Sequence, residues 1–343
     1  MRSLMAEEPG KLVLTEADRP TPGAGEVVVR VHAVGICGSD VHIHHGNLVF
    51  VTYPRVPGHE LSGVVAGIGA GVDGFAEGDR VAVNPTLSCG ECYPCSIGRG
   101  NCCVDVQCLG VHCDGAFREY LSVAAGNVHD IPDDMSFETG ALIEPLSIGL
   151  QATQRGRVAA EDTVAIIGAG TIGLCALQQA KVEGATVAIS DACESRLKLA
   201  ESLGADLVVD VREQDFVEAV QEWTRGRGGP QADGANVVIE AVGVPETLRQ
   251  TLDLVSAAGR VVVLGIIGED VALPASVFIR KELDFLGSRM NADLFPAVIR
   301  RLSERKLQPE PIITHTFAFD DVLDAFELAS KGPDEALKIL VKP

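Results

Sequence analysis

Four cysteines, Cys89, Cys92, Cys95 and Cys103, stand close together in the run CGECYPCSIGRGNCC. Two successive CxxC steps, then a cysteine beyond a gap of seven residues, is the spacing of a thiolate cage around one tetrahedral zinc ion. Nothing else in the chain restricts its folding as tightly. The lobe from 86 to 104 has no periodicity of its own, so a metal has to organise it. Structural zinc supplies about 10–16 kcal/mol of apparent folding free energy in small peptides. Four thiolates leave no open coordination position, which makes the site structural. Cys102 adjoins the fourth ligand, and the seven-residue gap favours Cys103 over it.

A chain of 343 residues with 46% apolar residues is too long for one ordinary core and predicts two domains. Its formal charge of −20 offers no basic face for phosphates, which argues against nucleic acid and against anionic membranes as partners. The opening MRSLMAEEPGKLVL lacks the apolar core of a signal peptide, and no run approaches the length of a membrane span. Ten cysteines on such a chain fit a reducing cytoplasm, where thiols serve metals or catalysis more often than disulfides.

Between 25 and about 130, segments such as GEVVVRVHAV, LSGVVAGIGAGV and DRVAVNP read as short strands punctuated by glycine, proline and aspartate. The pattern changes near 146. TVAIIG, a helix from about 172 to 183, ATVAISD and ESRLKLAESLG alternate strand with helix, and ANVVIEAVG, PETLRQTLDLV and GRVVVLGII continue the alternation. Alternating units of this kind predict a parallel sheet with helices on both faces. The expected division is a β-rich domain over 1–146, an α/β domain over 147–288 and a tail, 289–343, that returns to the first domain.

A second donor set is sparser: Cys37 in GICGSDVH, His59 and Glu60 in PGHE, and Glu144 in LIEPLS. One sulfur with nitrogen and oxygen donors suits a zinc ion that keeps one position for water or substrate. GAGTIG, 168–173, follows the apolar strand TVAII and opens a helix, which is the setting of a dinucleotide-binding loop. Gly168 permits the tight turn, Gly170 admits pyrophosphate close to the backbone, and Gly173, after Ile172, allows helix and strand to pack closely. The helix N-terminus then faces the phosphates. Asp191 ends the next strand, where it accepts from the adenosine ribose and repels a 2′-phosphate, favouring NAD over NADP. Arg196 either stacks on adenine or softens that discrimination. One closed zinc site, one open zinc site and a nucleotide loop together point to a zinc-dependent dehydrogenase.

The motifs GICGSDVH, PGHELSGVV, GDRVAVNP, CGECYPC, DGAFREY, IEPLS and GAGTIG resemble those of the zinc-containing medium-chain dehydrogenases, especially the polyol and threonine dehydrogenase branch, along nearly the whole chain. The resemblance implies a GroES-like catalytic domain, a Rossmann domain, two zinc ions per chain, NAD, and a homodimer or homotetramer. It implies that Cys37 and His59 bind the catalytic zinc with Glu60 beside it, and that Glu144 replaces or contacts the zinc-bound water. It also implies that Ser39 and His42 relay the alcohol proton to solvent. The stretch GSRMNADLFPAVI, 287–299, resembles the part of polyol dehydrogenases that sets an arginine against substrate hydroxyls, so Arg289 becomes a candidate substrate contact with a fork suited to a carboxylate. GVHCDGAFREYLSV, SRMNADLFP and ITHTFAFDDV look most similar to the hexonate 5-dehydrogenases, which oxidise L-gulonate, L-galactonate or L-idonate at C5. Neutral polyol dehydrogenases, L-threonine 3-dehydrogenases and NAD-binding regulators of the same fold are the alternatives.

Overall fold

The computed structural model describes residues 1–48, 50–225, 233–332 and 336–343. They form two units: Met1–Pro145 with Asn291–Arg305 and Pro309–Pro343, and Leu146–Met290 with Lys306–Gln308. Arg289 and Met290 thus belong to the second unit, where the sequence placed them in the returning tail. The reason is local: Ser288 N–H still donates to Val263 O (2.9 Å), which prolongs the second unit's sheet. Lys306–Gln308 are drawn to the same unit, where Gln308 N–H donates to the Gln178 side chain at 2.6 Å.

The first unit is built on the strand Glu26–Ile36, whose valine-rich sequence is buried along most of its length. It pairs antiparallel with Glu60–Ile68, Tyr120–Ala124 and Lys338–Lys342. Two register shifts, at Val28/Val29 and Val31/Ala33, bend it, as bulges do in strongly curved sheets. The sheet runs Ile313–Ala318, Lys338–Lys342, Glu26–Ile36, Glu60–Ile68, Arg80–Val83, Val128–Asp130. Val29, Val31, Leu61, Val81, Phe117, Phe326 and Ile339 share its core. In this register Gly35 faces Glu60. A Cβ at 35 would overlap the Glu60 carboxylate, so glycine is what lets that side chain lie across the strand.

The second unit is the doubly wound sheet that the alternation predicted. Its order is Leu207–Asp210, Thr186–Asp191, Thr163–Ile167, Ala235–Glu240, Val255–Val263, Asp284–Gly287, and every pair is parallel. The direction in which successive strands are added reverses between Thr163–Ile167 and Ala235–Glu240, the topological switch point at whose carboxyl ends such folds bind ligands. The first crossover helix runs Thr171–Val182, one residue ahead of the predicted span. Among the described residues no helix is long and apolar enough to cross a membrane.

Candidate functional site

The cysteine lobe brings its four sulfurs together. Cys89 and Cys103 are 3.4 Å apart, Cys92 and Cys95 3.4 Å, and Cys89 and Cys95 4.0 Å. A tetrahedron with metal–sulfur bonds of about 2.3 Å has edges of about 3.8 Å, so the cage has the size for zinc. Backbone N–H groups of Cys89, Cys92 and Asp105 point at the sulfurs from 3.3–3.4 Å. N–H groups of Cys95 and Val104 pull the Cys92 thiol down to about 6, while desolvation and the adjoining Cys92 sulfur push Cys95 up to about 11. Cys102 lies outside the cluster, its sulfur 3.8 Å from Arg99 Nη2.

The second donor set also converges. Cys37, His59 and Glu60 each offer a ligand atom, all within 4.8 Å of one another. Local chemistry explains the convergence. Cys37 is the N-cap of the helix Gly38–His45, and the Asp40 carboxylate reaches back to accept from Cys37 N–H at 2.9 Å. The other Asp40 oxygen accepts from Gly58 N–H at 3.0 Å and lies 3.7 Å from His59 Nδ1. One wholly buried aspartate therefore fixes the backbone of both ligand-bearing segments. Burial pushes the Asp40 carboxyl up. Burial by itself would lower His59, but Asp40 and the Cys37 sulfur outweigh it and hold the imidazole well above its usual range.

Glu60 is 1% exposed and Glu144 7%. Burial pushes the Glu144 carboxyl up to about 7. Glu60 is gripped by Lys338, whose Nζ stands 2.7 Å and 2.6 Å from its two oxygens and 3.1 Å from Ile36 O. The Cys37 sulfur and the carboxyl groups of Asp40, Glu60 and Glu144 thus share one buried neighbourhood with a single lysine. His59 Nδ1 is buried without a hydrogen-bond partner. Sulfur, oxygen and nitrogen donors brought together in this way fit a divalent cation such as zinc. Ser39 is half-buried and His42 exposed, one turn apart on the Gly38–His45 helix. The buried Cys108 shares this neighbourhood; desolvation pushes its thiol up to about 12, with His59 opposing the rise and Glu144 and Asp40 adding to it.

In the second unit, Gly168 takes φ +98°, a conformation that favours glycine. A Cβ at Gly173 would overlap the Gly168 carbonyl. At Gly170 the only atom near an added Cβ is Arg196 Nη1 at 3.8 Å, so the loop faces open space where a pyrophosphate would lie. Gly170 caps the helix Thr171–Val182 with no side-chain hydrogen bond, leaving its first N–H groups for an anion. Ile172 is half-buried in that first turn. Asp191 ends its strand and ties the loop: its carboxylate accepts from Ala169 N–H at 2.8 Å and from Cys193 N–H at 2.9 Å. Arg196 Nη1 lies 3.8 Å from where a Cβ on Gly170 would stand, beside the loop. Arg289 is exposed in this unit, two residues beyond the strand Asp284–Gly287.

Sequence reasoning missed Asp40 and Lys338. The first had a signal, an acid three residues after Cys37 where a capping box puts one. Lys338 had a fainter one, a lysine opening the apolar run KILV.

Residues 23–133 match the family model described as the alcohol dehydrogenase GroES-like domain, and residues 171–304 match the one described as zinc-binding dehydrogenase. The starvation-sensing protein RspB of Escherichia coli is 39% identical, over 99% of this chain and 99% of its own length. The crystal structure of RspB from E. coli CFT073, complexed with NADH, superposes with a TM-score of 0.94 at 39% identity, covering 100% of this chain and 99% of that one. Sorbitol dehydrogenase of Bacillus subtilis is 37% identical, covering 93% of this chain and 90% of its own. L-galactonate-5-dehydrogenase of E. coli is 33% identical, covering 95% and 94%.

Proposed function

The chain belongs to the zinc-containing medium-chain alcohol dehydrogenase family, and from that premise we propose that it oxidises a sugar acid, L-gulonate first, at C5 to a keto-hexonate of the fructuronate type. It is an oxidoreductase of the zinc- and NAD-dependent kind, with a GroES-like domain and a Rossmann domain. The observation that carries the reaction class is the convergence of Cys37, His59 and Glu60 within 4.8 Å, separate from the four-sulfur cage. In this reading Cys89, Cys92, Cys95 and Cys103 hold a structural zinc. Cys37 and His59 hold the catalytic one, with Glu60 or Glu144 completing its donors.

Zinc held at that site would supply positive charge to lower the pKa of a substrate hydroxyl, as it does for water (to about 7 in favourable sites), and bound NAD would supply the hydride acceptor. The chain's own residues do the rest. Asp40 fixes the backbone at Cys37 and at Gly58, next to His59. Ser39 takes the hydroxyl proton inside and His42 delivers it to solvent, in keeping with the half-buried serine and the exposed histidine one turn away. Gly170 and the start of the Thr171–Val182 helix bind the pyrophosphate, and Asp191 binds the ribose.

The choice of a sugar acid rests on the hexonate-like segments, on the exposed Arg289 guanidinium as a carboxylate contact, and on the likeness to an L-galactonate-5-dehydrogenase. Sorbitol dehydrogenase has the higher identity, 37% against 33%, and supports a neutral polyol as the second reading. The likeness to a starvation-sensing protein supports a third, a regulator with little turnover. The strand Asp284–Gly287 is an edge of its sheet, and the same unit leaves Ile266 (81% exposed) and Ile279 (83%) uncovered, which supports assembly as a homodimer or homotetramer. A reducing cytoplasm suits the free thiols.

The deciding experiment follows NADH formation by zinc-loaded protein with L-gulonate, L-galactonate, L-idonate, D-mannonate, sorbitol and L-threonine. Activity confined to the hexonates sustains the proposal. Preference for sorbitol or threonine refutes the sugar-acid assignment and leaves the zinc chemistry standing. No turnover in the presence of bound zinc and NAD favours the regulator.

A further inference from the structure

Charged side chains gather at and after the carboxyl ends of the strands beside the nucleotide loop, and their pairing bears on which dinucleotide is admitted. Asp191 and Asp210 are register partners at the carboxyl ends of adjacent parallel strands, which places their backbones about 4.8 Å apart. Asp191 already anchors the loop through Ala169 N–H and the next turn through Cys193 N–H. Asp210 holds Arg212 in a two-pronged pair, with Nε to Oδ1 at 2.9 Å and Nη2 to Oδ2 at 2.5 Å, and it also accepts from Arg212 N–H at 2.9 Å.

Val211 N–H donates to Asp191 O at 3.1 Å, so the chain from Asp210 to Arg212 runs beside the end of the Asp191 strand. The carboxyl of Glu194, the first residue of the helix that follows Asp191, is held below its usual range by Lys198 first and by Arg212 in addition. Lys198 is itself paired with Glu194 at 2.6 Å. Arg196 stands by Gly170, at the phosphate loop. Arg212 is thus a cation at the end of the strand next to that of Asp191, and Asp210 occupies its fork. Asp210 stays ionised through the working pH range, since the Arg212 hydrogen bonds hold its carboxyl down at about 2.

We propose that Asp210 is a cofactor-specificity residue, which keeps the Arg212 guanidinium engaged and sets a second carboxylate beside Asp191, so that a 2′-phosphate finds repulsion and no free cation. The inference rests on the reading that NAD binds at Gly168–Gly173 and Asp191, and it adds a discriminating pair from the neighbouring strand. A phosphate monoester carries about −1.5 to −2 charges at neutral pH. Neutralising one carboxylate nearby and releasing one arginine both favour it, and the fork geometry suits a phosphate.

The test uses the full-length, zinc-loaded protein and needs no alcohol substrate. Dissociation constants for NADH and NADPH are measured by fluorescence for the wild type, Asp210→Asn, Arg212→Gln and the double variant. Arg212 is 57% exposed and Asp210 21%, so these variants fold. The expected result is a rise in relative affinity for NADPH over NADH of about tenfold or more in Asp210→Asn, lost again in the double variant. An unchanged ratio in Asp210→Asn overturns the proposal, as does a gain that survives removal of Arg212. Failure of the underlying reading looks different: the wild type binds no NADH, or Asp191→Ala leaves NADH affinity unaltered.

Discussion

Replacing Lys338 by methionine tests the electrostatic account of the metal centre most sharply. The lysine side chain is 3% exposed and that of Glu60 1%, and Nζ lies within 2.7 Å of both carboxylate oxygens. Methionine has a similar length, so the cavity term is small and the loss is mainly that of a counter-charge. Removing one member of such a buried pair costs about 3–5 kcal/mol, because the partner remains charged and buried. For a unit of this size each kcal/mol moves the melting temperature by about 2–4 °C, so metal-free Lys338→Met should melt about 6–20 °C lower. Glu60→Gln should cost a comparable amount by stranding the lysine. The double variant strands no charge, and its loss should fall short of the summed single losses by about 3 kcal/mol or more. A zinc ion at Cys37, His59 and Glu60 provides a substitute cation, so the Lys338→Met penalty should shrink on metal loading. The assay is urea unfolding of the four proteins, metal-free and zinc-loaded. A metal-free penalty below about 1 kcal/mol, or losses that add within about 0.5 kcal/mol, refutes the reasoning.

Cys37→Ser should abolish turnover and leave NADH affinity near that of the wild type; parallel loss of both would mark a folding defect instead. Cys92→Ser should reduce bound zinc from two ions per chain to one, read by metal analysis, and expose the lobe from 86 to 104 to protease. Gly170→Ala and Gly173→Ala should separate two roles of the loop. The first meets nothing nearer than Arg196 at 3.8 Å, so it should weaken NADH about tenfold or more without lowering the melting temperature, whereas the second overlaps the Gly168 carbonyl and should lower both. Arg289→Ala should raise KM for a hexonate several-fold more than for sorbitol, and equal shifts would remove the carboxylate contact.

What the sequence revealed follows from how local each feature is. The cysteine cage is spelled within fifteen residues, and the Gly168–Gly173 turn within six, so spacing alone was enough to read them. The alternation after 146 exposed the parallel sheet because buried strands between helices leave an apolar signature. Lys338 lies far in sequence from Glu60, and nothing short of the register Ile339 to Ile36 and Gly35 to Glu60 reveals that they meet. The Asp210 and Arg212 pair was hidden for the same reason: only the neighbouring strand gives it meaning. Arg289 shows the reverse failure, a motif whose unit the sequence misassigned by two positions because the sheet continues past its last regular strand.

The discontinuity of the first unit also sets an order of events during synthesis. Residues 146–290 are contiguous and complete a sheet of their own, while the first unit waits for the strand Lys338–Lys342. As the chain leaves the ribosome, the nucleotide-binding half can fold first, in the manner of domains that form as they emerge. Glu60 has by then been exposed for most of translation without its lysine. The proposed metal centre would then be completed late in biosynthesis, by the strand Lys338–Lys342 that brings the lysine to Glu60.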